Sequence, residues 1–136
     1  MKVKSLGGKI PTIAYQSDAG FDVYAIDNYY ILRGTRRQIK LGIVIEIEQD
    51  EVAIMSERSG MAINYGITSI GNIIDSGYRG EISIILFNSG DKDYEIKAGD
   101  KIGQIVVCKL GERKIEVVEE LSETERGEKA HNSSGV

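Results

Sequence analysis

Two short segments and one acidic residue carry side chains suited to chemistry on an anionic ligand. The segment Arg58–Gly60 sets a guanidinium beside a hydroxyl and a glycine, which together offer hydrogen-bond donors to a phosphate. Asp75 and Tyr78 lie between two apolar runs, where the carboxylate can act as a general base and the ring as a flat wall against another ring. Asp22 lies in an apolar, strand-like stretch and needs an arginine or a metal-bound water as partner. Taken alone, Arg58–Gly60 is explained equally well by a solvated turn, and Asp75 and Tyr78 by a hairpin bend in which Asp75 forms the turn and Tyr78 packs.

The end of the chain offers a second set of phosphate-binding groups. Arg126, Ser133 and Ser134 lie in the segment Ser122–Val136, whose only apolar residues are Ala130 and Val136. Such a segment cannot bury enough surface to fold alone, so we expect a flexible C-terminal tail. An inert tail is the alternative for this segment taken in isolation.

The elements that position these groups are predicted to be strands. The chain has 21 Ile and 9 Val against 6 Leu, and β-branched side chains favour strands over helices. Apolar and other residues alternate over Ile39–Ile47, which predicts one strand with a buried face. Short strands separated by turns are typical of an all-β, jelly-roll-like barrel or sandwich. Further strands are predicted at Glu51–Met55, Glu81–Phe87, Ile102–Cys108 and Ile115–Val118, with functional loops around short strands or a helical turn over 56–80.

Length and composition bound the function. The 136 residues predict one β domain over 1–121, followed by the tail over 122–136. The net charge of −4 argues against a nucleic-acid partner, and no apolar run reaches the roughly 18–20 residues of a transmembrane helix. The segment Met1–Gly8 lacks the apolar region of a signal peptide, so we expect a cytoplasmic protein, or one of the host-cell cytoplasm if it is phage-encoded.

The order of the polar segments along the chain resembles the five motifs of the trimeric dUTPase family. This resemblance implies a jelly-roll-like fold and a homotrimer whose active sites are shared among subunits. It also implies hydrolysis of dUTP to dUMP and pyrophosphate with Mg²⁺, which limits uracil incorporation into DNA and supplies dUMP for thymidylate synthesis. The five segments are Asp18–Ile26, Ser56–Ala62, Gly71–Ile82, Gly99–Val107 and Arg126–Gly135.

The third motif implies the catalytic and base-binding roles. By resemblance, Asp75 orients and deprotonates the water that attacks the α-phosphorus. Tyr78 lies against the deoxyribose and leaves no room for a ribose 2′-hydroxyl. Main-chain groups from Asn72 through Ile74 to Tyr78 read the uracil edge, and close packing of this hairpin excludes the methyl group of thymine.

The other motifs imply contacts with the phosphates and the metal. By resemblance, Arg58, Ser59, Gly60 and Gln104 contact phosphates, and Asp22 holds Mg²⁺ through its water shell. The last motif implies a lid that closes over the β- and γ-phosphates and orders when a triphosphate binds. Its matching residues are Arg126, Ser133 and Ser134.

Three departures from the family pattern concern the phosphate loop and the tail. Glu57 stands where the family usually has a proline, which predicts a carboxylate near the phosphates. Ala130 and Asn132 replace glycines of the lid. His131, the only histidine, stands where the family has a phenylalanine that stacks on uracil, and an imidazole can also stack on a base.

Three other functions remain open from the sequence. A dCTP deaminase, or a bifunctional deaminase–dUTPase, shares the fold, although those enzymes favour tryptophan where Tyr78 stands. A phage-encoded dUTPase can also bind a regulatory protein partner. An interaction module without an active site is the third, and the five matching motifs argue against it.

Overall fold

The computed structural model describes residues 1–125 and residue 127, and it has an almost all-β, jelly-roll-like fold, as the sequence predicts. The one helix among the described residues is short. Within this part of the chain, no helix is long and apolar enough to cross a membrane. The elements are β1 (Lys2–Ser5), β2 (Phe21–Tyr24), β3 (Tyr29–Ile31), β4 (Arg36–Lys40), β5 (Ile43–Glu46), β6 (Glu51–Ser56), α1 (Ser59–Tyr65), β7 (Ile67–Ile70), β8 (Ile73–Asp75), β9 (Ser83–Asn88), β10 (Tyr94–Ile96) and β11 (Lys101–Lys109).

The strands pair in an order that differs from their order in the chain. A four-stranded sheet has the order β2-β11-β6-β8, and a three-stranded sheet has the order β4-β9-β7. Two further antiparallel pairs join β1 to β5 and β10 to β3. The four-stranded sheet therefore brings segments from the start, middle and end of the β domain side by side.

The core is built mostly from isoleucine. On β9 the residues alternate between buried and half-buried, so Ile84 and Leu86 point into the core. Ile31, Ile96 and Ile105 are also fully buried and join the same cluster. Stiff, β-branched side chains suit this alternating packing, which explains why isoleucine outnumbers leucine so strongly.

For the segment Ile39–Ile47, the predicted buried face is confirmed, but the prediction of one continuous strand is wrong. Its odd-numbered apolar residues are all buried, as expected. The segment is nevertheless two strands, because the chain bends at Gly42, which has a φ of +64°. A β-carbon on Gly42 would lie 2.8 Å from the α-carbon of Gly8, so the bend also depends on close backbone packing.

The prediction of a strand at Ile115–Val118 is wrong. The chain has no strand there, and the side chains of Ile115 and Val117 are 92% and 93% exposed. A strand needs a neighbouring strand for its backbone hydrogen bonds. The last strand along the described part of the chain is β11, which ends at Lys109, so residues 115–118 pair with no strand there. The other predicted strands are present with small shifts of their ends, and the region 56–80 contains α1, β7 and β8. The boundary of the predicted tail at residue 121 stays a prediction.

Candidate active site

Three polar residues lie side by side where β2, β11 and β6 run next to each other. Gln104 on the middle strand pairs with Asp22 on one side and with Ser56 on the other. Neighbouring strands are about 4.8 Å apart, so the first, second and fourth motifs meet here. Gly20 makes room for the Gln104 side chain, because a β-carbon at Gly20 would lie 2.5 Å from Oε1 of Gln104.

Two cationic side chains surround the Asp22 carboxylate. Lys101 Nζ donates a hydrogen bond to Asp22 Oδ2 at 2.7 Å, and Arg58 Nε lies 3.9 Å from Asp22 Oδ1. The hydrogen bond to Asp22 raises the pKa of Lys101 above its ordinary value, so its ammonium group stays charged. We call Asp22, Arg58, Lys101 and Gln104 the charged cluster.

The local fold presents Arg58 at the start of α1. Arg58 has an extended backbone, with φ −88° and ψ 134°, and its carbonyl oxygen accepts hydrogen bonds from the N–H groups of Met61 and Ala62. Ser59 and Gly60 follow in the first helical turn and are exposed. The N–H groups of Ser59 and Gly60, the first two residues of the helix, have no acceptor within the helix and lie next to Arg58 in the chain. This arrangement suits a bound anion.

A second polar site lies at the hairpin that follows β8. Asp75 and Tyr78 line a cavity of about 170 Å³ together with apolar residues that include Ile73 and Ile74. The Tyr78 N–H donates to the Asp75 carbonyl oxygen at 3.0 Å, which closes the turn. We call this feature the hairpin cavity.

The Tyr78 ring is held flat against the turn. Its hydroxyl donates to the carbonyl oxygen of Glu81 at 3.2 Å, and a β-carbon on Gly80 would lie 2.5 Å from the ring carbon Cζ. Glycine at position 80 therefore leaves space for the ring in this position, which a larger residue would displace. Asn72 anchors the start of the hairpin, since its carbonyl oxygen accepts the N–H of Met55 at 2.8 Å. Among the described residues, the buried Oδ1 of Asn72 has no hydrogen-bond partner.

The hairpin cavity and the charged cluster do not meet within one chain. Asp75 pairs with Val52, whereas Ser56, next to the cluster, lies four positions further along β6, about 13 Å away at the usual rise of a strand. Both sites are exposed at their own ends of the sheet. The motif residues thus form two half-sites.

The Glu57 carboxylate, which the sequence predicts to lie near the phosphates, is bonded to residues of β7. It accepts hydrogen bonds from the N–H and the hydroxyl of Ser69 and from the hydroxyl of Thr68, on β7. The hydrogen bond from the Ser69 hydroxyl lowers the pKa of Glu57, against the effect of partial burial, so the carboxylate is charged. Glu57 is therefore engaged with β7.

Sequence reasoning missed Lys101 as a member of the charged cluster. The pairing of β11 with β2 shifts register between Lys101 and Gly103, and Lys101 contacts the Asp22 carboxylate although Gln104 is the residue paired with Asp22. No sequence pattern reveals such a bulge, although the position of Lys101 within the fourth motif was a signal. Four predicted site residues lie outside the described residues: Arg126, His131, Ser133 and Ser134.

The charged cluster offers a metal ion one carboxylate, that of Asp22. The described part of the chain contains no group of three or more His, Cys, Asp or Glu residues that could hold a metal ion directly. In the charged cluster, Asp22 Oδ2 is engaged by Lys101, while Oδ1 has only the long contact with Arg58. Oδ1 is free to accept a hydrogen bond from a metal-bound water, which fits an ion bound mainly through waters and phosphates.

The chain is similar to known proteins over nearly its whole length. The family model described as dUTPase matches residues 7–135. The deoxyuridine 5'-triphosphate nucleotidohydrolase of Clostridium novyi (strain NT) is 40% identical over 129 residues, which cover 93% of this chain and 91% of the relative. A mutant dUTPase of Staphylococcus bacteriophage 80alpha with dUpNHpp superimposes with a TM-score of 0.93 at 25% identity, covering 99% of this chain and 98% of that one. A mutant dUTPase from phage phi11 of S. aureus, whose structure concerns the coordination of a structural Mg(II) ion, has a TM-score of 0.83 at 21% identity, with coverage of 90% and 98%.

Proposed function

This chain belongs to the dUTPase family and hydrolyses dUTP to dUMP and pyrophosphate, and we propose that the hairpin cavity and the charged cluster supply the two halves of its active site. The proposal rests mainly on Asp75, an exposed carboxylate beside an aromatic ring at the mouth of a cavity. The charged cluster complements it, because it presents the cations that a triphosphate requires.

Asp75 acts as the general base. Its carboxylate accepts a proton from a water molecule while the water oxygen attacks the α-phosphorus. The bond between the α-phosphorus and the oxygen that bridges to the β-phosphate breaks, and pyrophosphate leaves with the electron pair of that bond. Tyr78, held by Gly80 and by Glu81, offers a flat surface to the deoxyribose. Backbone groups from Asn72 through Ile74 to Tyr78 line the space for uracil.

The charged cluster binds the phosphates. Arg58 is 3.9 Å from Asp22, a loose contact, so the guanidinium can turn to a phosphate at little cost. Gln104 donates through its amide N–H₂ group, and Ser59 and Gly60 add a hydroxyl and backbone N–H groups. Arg126, Ser133 and Ser134, together with His131, complete the site from the tail.

Mg²⁺ is the metal that we propose for the reaction, with Asp22 holding it through a water molecule. When bound, the ion neutralises charge on the triphosphate. The chemistry of the donor set supports this choice, because Mg²⁺ keeps several waters and needs few protein carboxylates. The solved phi11 dUTPase, whose structure concerns a structural Mg(II) ion, adds support at the level of a shared fold.

We further propose a homotrimer in which different subunits supply the two half-sites. The separation of the half-sites along β6 supports this assembly, because the hairpin cavity of one chain can then lie beside the charged cluster of another. The segment that follows β11 supports it as well, since Ile115, Val117 and Leu121 are about nine-tenths exposed and gain from burial against another chain.

A substrate panel tests the function. Pyrophosphate release is measured with dUTP, dTTP, dCTP and UTP, each with Mg²⁺ and with a chelator. We expect turnover of dUTP with Mg²⁺ to exceed that of the other nucleotides by at least about 100-fold. The edge of cytosine would leave polar groups of the site unpaired, whereas the methyl group of dTTP and the 2′-hydroxyl of UTP would meet the hairpin and the Tyr78 ring. Uracil products from dCTP would instead assign the chain to the deaminases, and an absence of pyrophosphate from dUTP would overturn the proposed mechanism.

A further inference from the structure

Two residues, Glu57 and Arg58, connect the end of β6 to the start of α1, and Glu57 is the first of them. Arg58, Ser59 and Gly60 follow Glu57 directly, so any rotation of the backbone at position 57 moves all three. A proline at this position would restrict φ to about −65° and limit such rotation. Glutamate has no such restriction, and something else must hold the segment.

Hydrogen bonds to β7 hold Glu57 at both its backbone and its side chain. The Glu57 N–H donates to the Ser69 hydroxyl oxygen at 3.3 Å, and the Glu57 carboxylate accepts the Ser69 N–H at 3.1 Å. The Ser69 hydroxyl also donates to this carboxylate, and the Thr68 hydroxyl does so at 3.4 Å. Ser69 is only 8% exposed, so the partner is itself fixed in the sheet. Bonds to a charged acceptor are about twice as strong as neutral ones.

We propose that Glu57 is a positioning residue for phosphate binding: its clasp on Ser69 and Thr68 fixes the backbone ahead of Arg58, in place of a proline ring. These hydrogen bonds, which we call the clasp, tie Glu57, just ahead of α1, to β7, which follows α1. They therefore hold both ends of the segment that presents Arg58, Ser59 and Gly60. This inference rests on the proposed function, because it concerns the orientation of those groups toward a triphosphate.

The clasp also directs the negative charge of Glu57 toward β7. A carboxylate that pointed toward bound phosphates would repel them. The Glu57 carboxylate instead accepts hydrogen bonds from Ser69 and Thr68. The same contacts that orient the loop therefore keep its negative charge directed toward β7.

Two substitutions at position 57 separate positioning from stability. Glu57→Ala and Glu57→Pro both remove the carboxylate from the Ser69 and Thr68 donors, so we expect both to lower Tm. Proline also removes the N–H that donates to the Ser69 hydroxyl, so we expect the larger decrease for Glu57→Pro. Only the proline restores a restraint on φ. It is tolerated after Ser56, because residues before proline favour the extended conformation that Ser56 has in β6.

Binding is measured by titration calorimetry with the non-hydrolysable analogue dUpNHpp and with dUMP, which lacks the β- and γ-phosphates. Since small misplacements of binding groups weaken interactions strongly, we expect Glu57→Ala to raise the Kd for dUpNHpp about tenfold and the Kd for dUMP less than twofold. Glu57→Pro is expected to bind dUpNHpp within about threefold of the unchanged protein. Glu46→Ala, which removes an exposed carboxylate paired with Lys2, is the matched control and leaves both constants unchanged.

Equal loss of dUpNHpp affinity in Glu57→Ala and Glu57→Pro would overturn the proposal, and so would an unchanged affinity in Glu57→Ala. Ser69→Ala keeps the carboxylate and removes one donor, so it serves if Glu57→Ala does not fold. It is expected to raise the Kd for dUpNHpp about threefold, and no change would also contradict the proposal. Turnover of dUTP by the unchanged protein is measured alongside, because its absence would refute the proposed function and not the role of Glu57.

Discussion

The hairpin cavity and the charged cluster lie at opposite ends of β6 and use different physical means. The cavity combines one exposed carboxylate, one ring and a tight turn, and backbone geometry shapes it. The cluster is built from side-chain charges, in which Lys101 and Arg58 converge on Asp22. The first arrangement suits a flat, neutral group beside a reacting centre, and the second suits a flexible anion. Each is half of what a nucleoside triphosphate needs.

The difference also explains where rigidity is found. The hairpin cavity is shaped by backbone hydrogen bonds, from the Tyr78 N–H to the Asp75 carbonyl oxygen and from the Met55 N–H to the Asn72 carbonyl oxygen. The charged cluster can rearrange, because the contact of Arg58 with Asp22 is long and Arg58 is half exposed. In the proposed active site, a rigid base pocket and an adaptable phosphate site would together allow selective binding of the base while the triphosphate changes during hydrolysis.

The largest effect is expected from Asp75→Asn, which tests the cavity half. The amide keeps the shape of the side chain and cannot accept a proton from water, so kcat is expected to fall about 10³-fold. Pyrophosphate release measures the loss. Asp50→Asn, which changes an exposed carboxylate bound to Lys109, is the matched control and retains full activity. Turnover that is unchanged in Asp75→Asn would remove the proposed base from the mechanism.

Mixing two inactive variants tests whether the halves come from different chains. Asp75→Asn and Arg58→Ala are unfolded together, refolded at equal concentrations and assayed with dUTP. If each site takes Asp75 from one chain and Arg58 from another, about a quarter of the sites in randomly mixed trimers carry both native residues. Activity is therefore expected to reach about a quarter of the native value, far above either parent. Activity no higher than the average of the parents would mean that one chain supplies both halves.

Removal of residues 126–136 tests the contribution of the tail to the phosphate half. The segment holds Arg126, Ser133 and Ser134 and few apolar residues, so its loss removes ligand contacts and little core. We expect kcat/KM to fall about 10- to 100-fold, as for the loss of a group of charge-assisted contacts. Tm is expected to change by less than about 2 °C, since no packed core is disturbed. A large decrease in Tm would assign the tail a structural role.

The sequence predicted the fold class and the burial pattern well, and for a clear reason. Alternation places Ile39, Leu41 and Ile43 on the buried side whether or not the strand is continuous. The bend at Gly42 preserves that alternation, so the pattern could not reveal it. Similarly, the apolar residues Ile115 and Val117 have strand character without a strand partner in their own chain.

The candidate site was less predictable, because its geometry depends on contacts between distant residues. The orientation of Glu57 is determined by Ser69, twelve positions away, and no local pattern reports that contact. The role of Lys101 depends on a shift in strand register. The order of the motifs predicted that Asp75 and Arg58 take part in the same reaction. Only the strand pairing in the sheet showed that they lie at opposite ends of β6 within one chain.

The smallest effect on KM is expected from substitutions of His131. They test whether this tail residue contacts the base or the phosphates. Phenylalanine offers more apolar area to a base than imidazole does, so His131→Phe is expected to lower KM for dUTP by up to about threefold or to leave it unchanged. His131→Ala removes the ring and is expected to raise KM about threefold. Binding of pyrophosphate alone is expected to be equal in all three proteins, because stacking on uracil belongs to the hairpin cavity. A clear loss of turnover in His131→Phe would show that the imidazole makes a polar contact that phenylalanine cannot replace, and would assign His131 to the phosphate half.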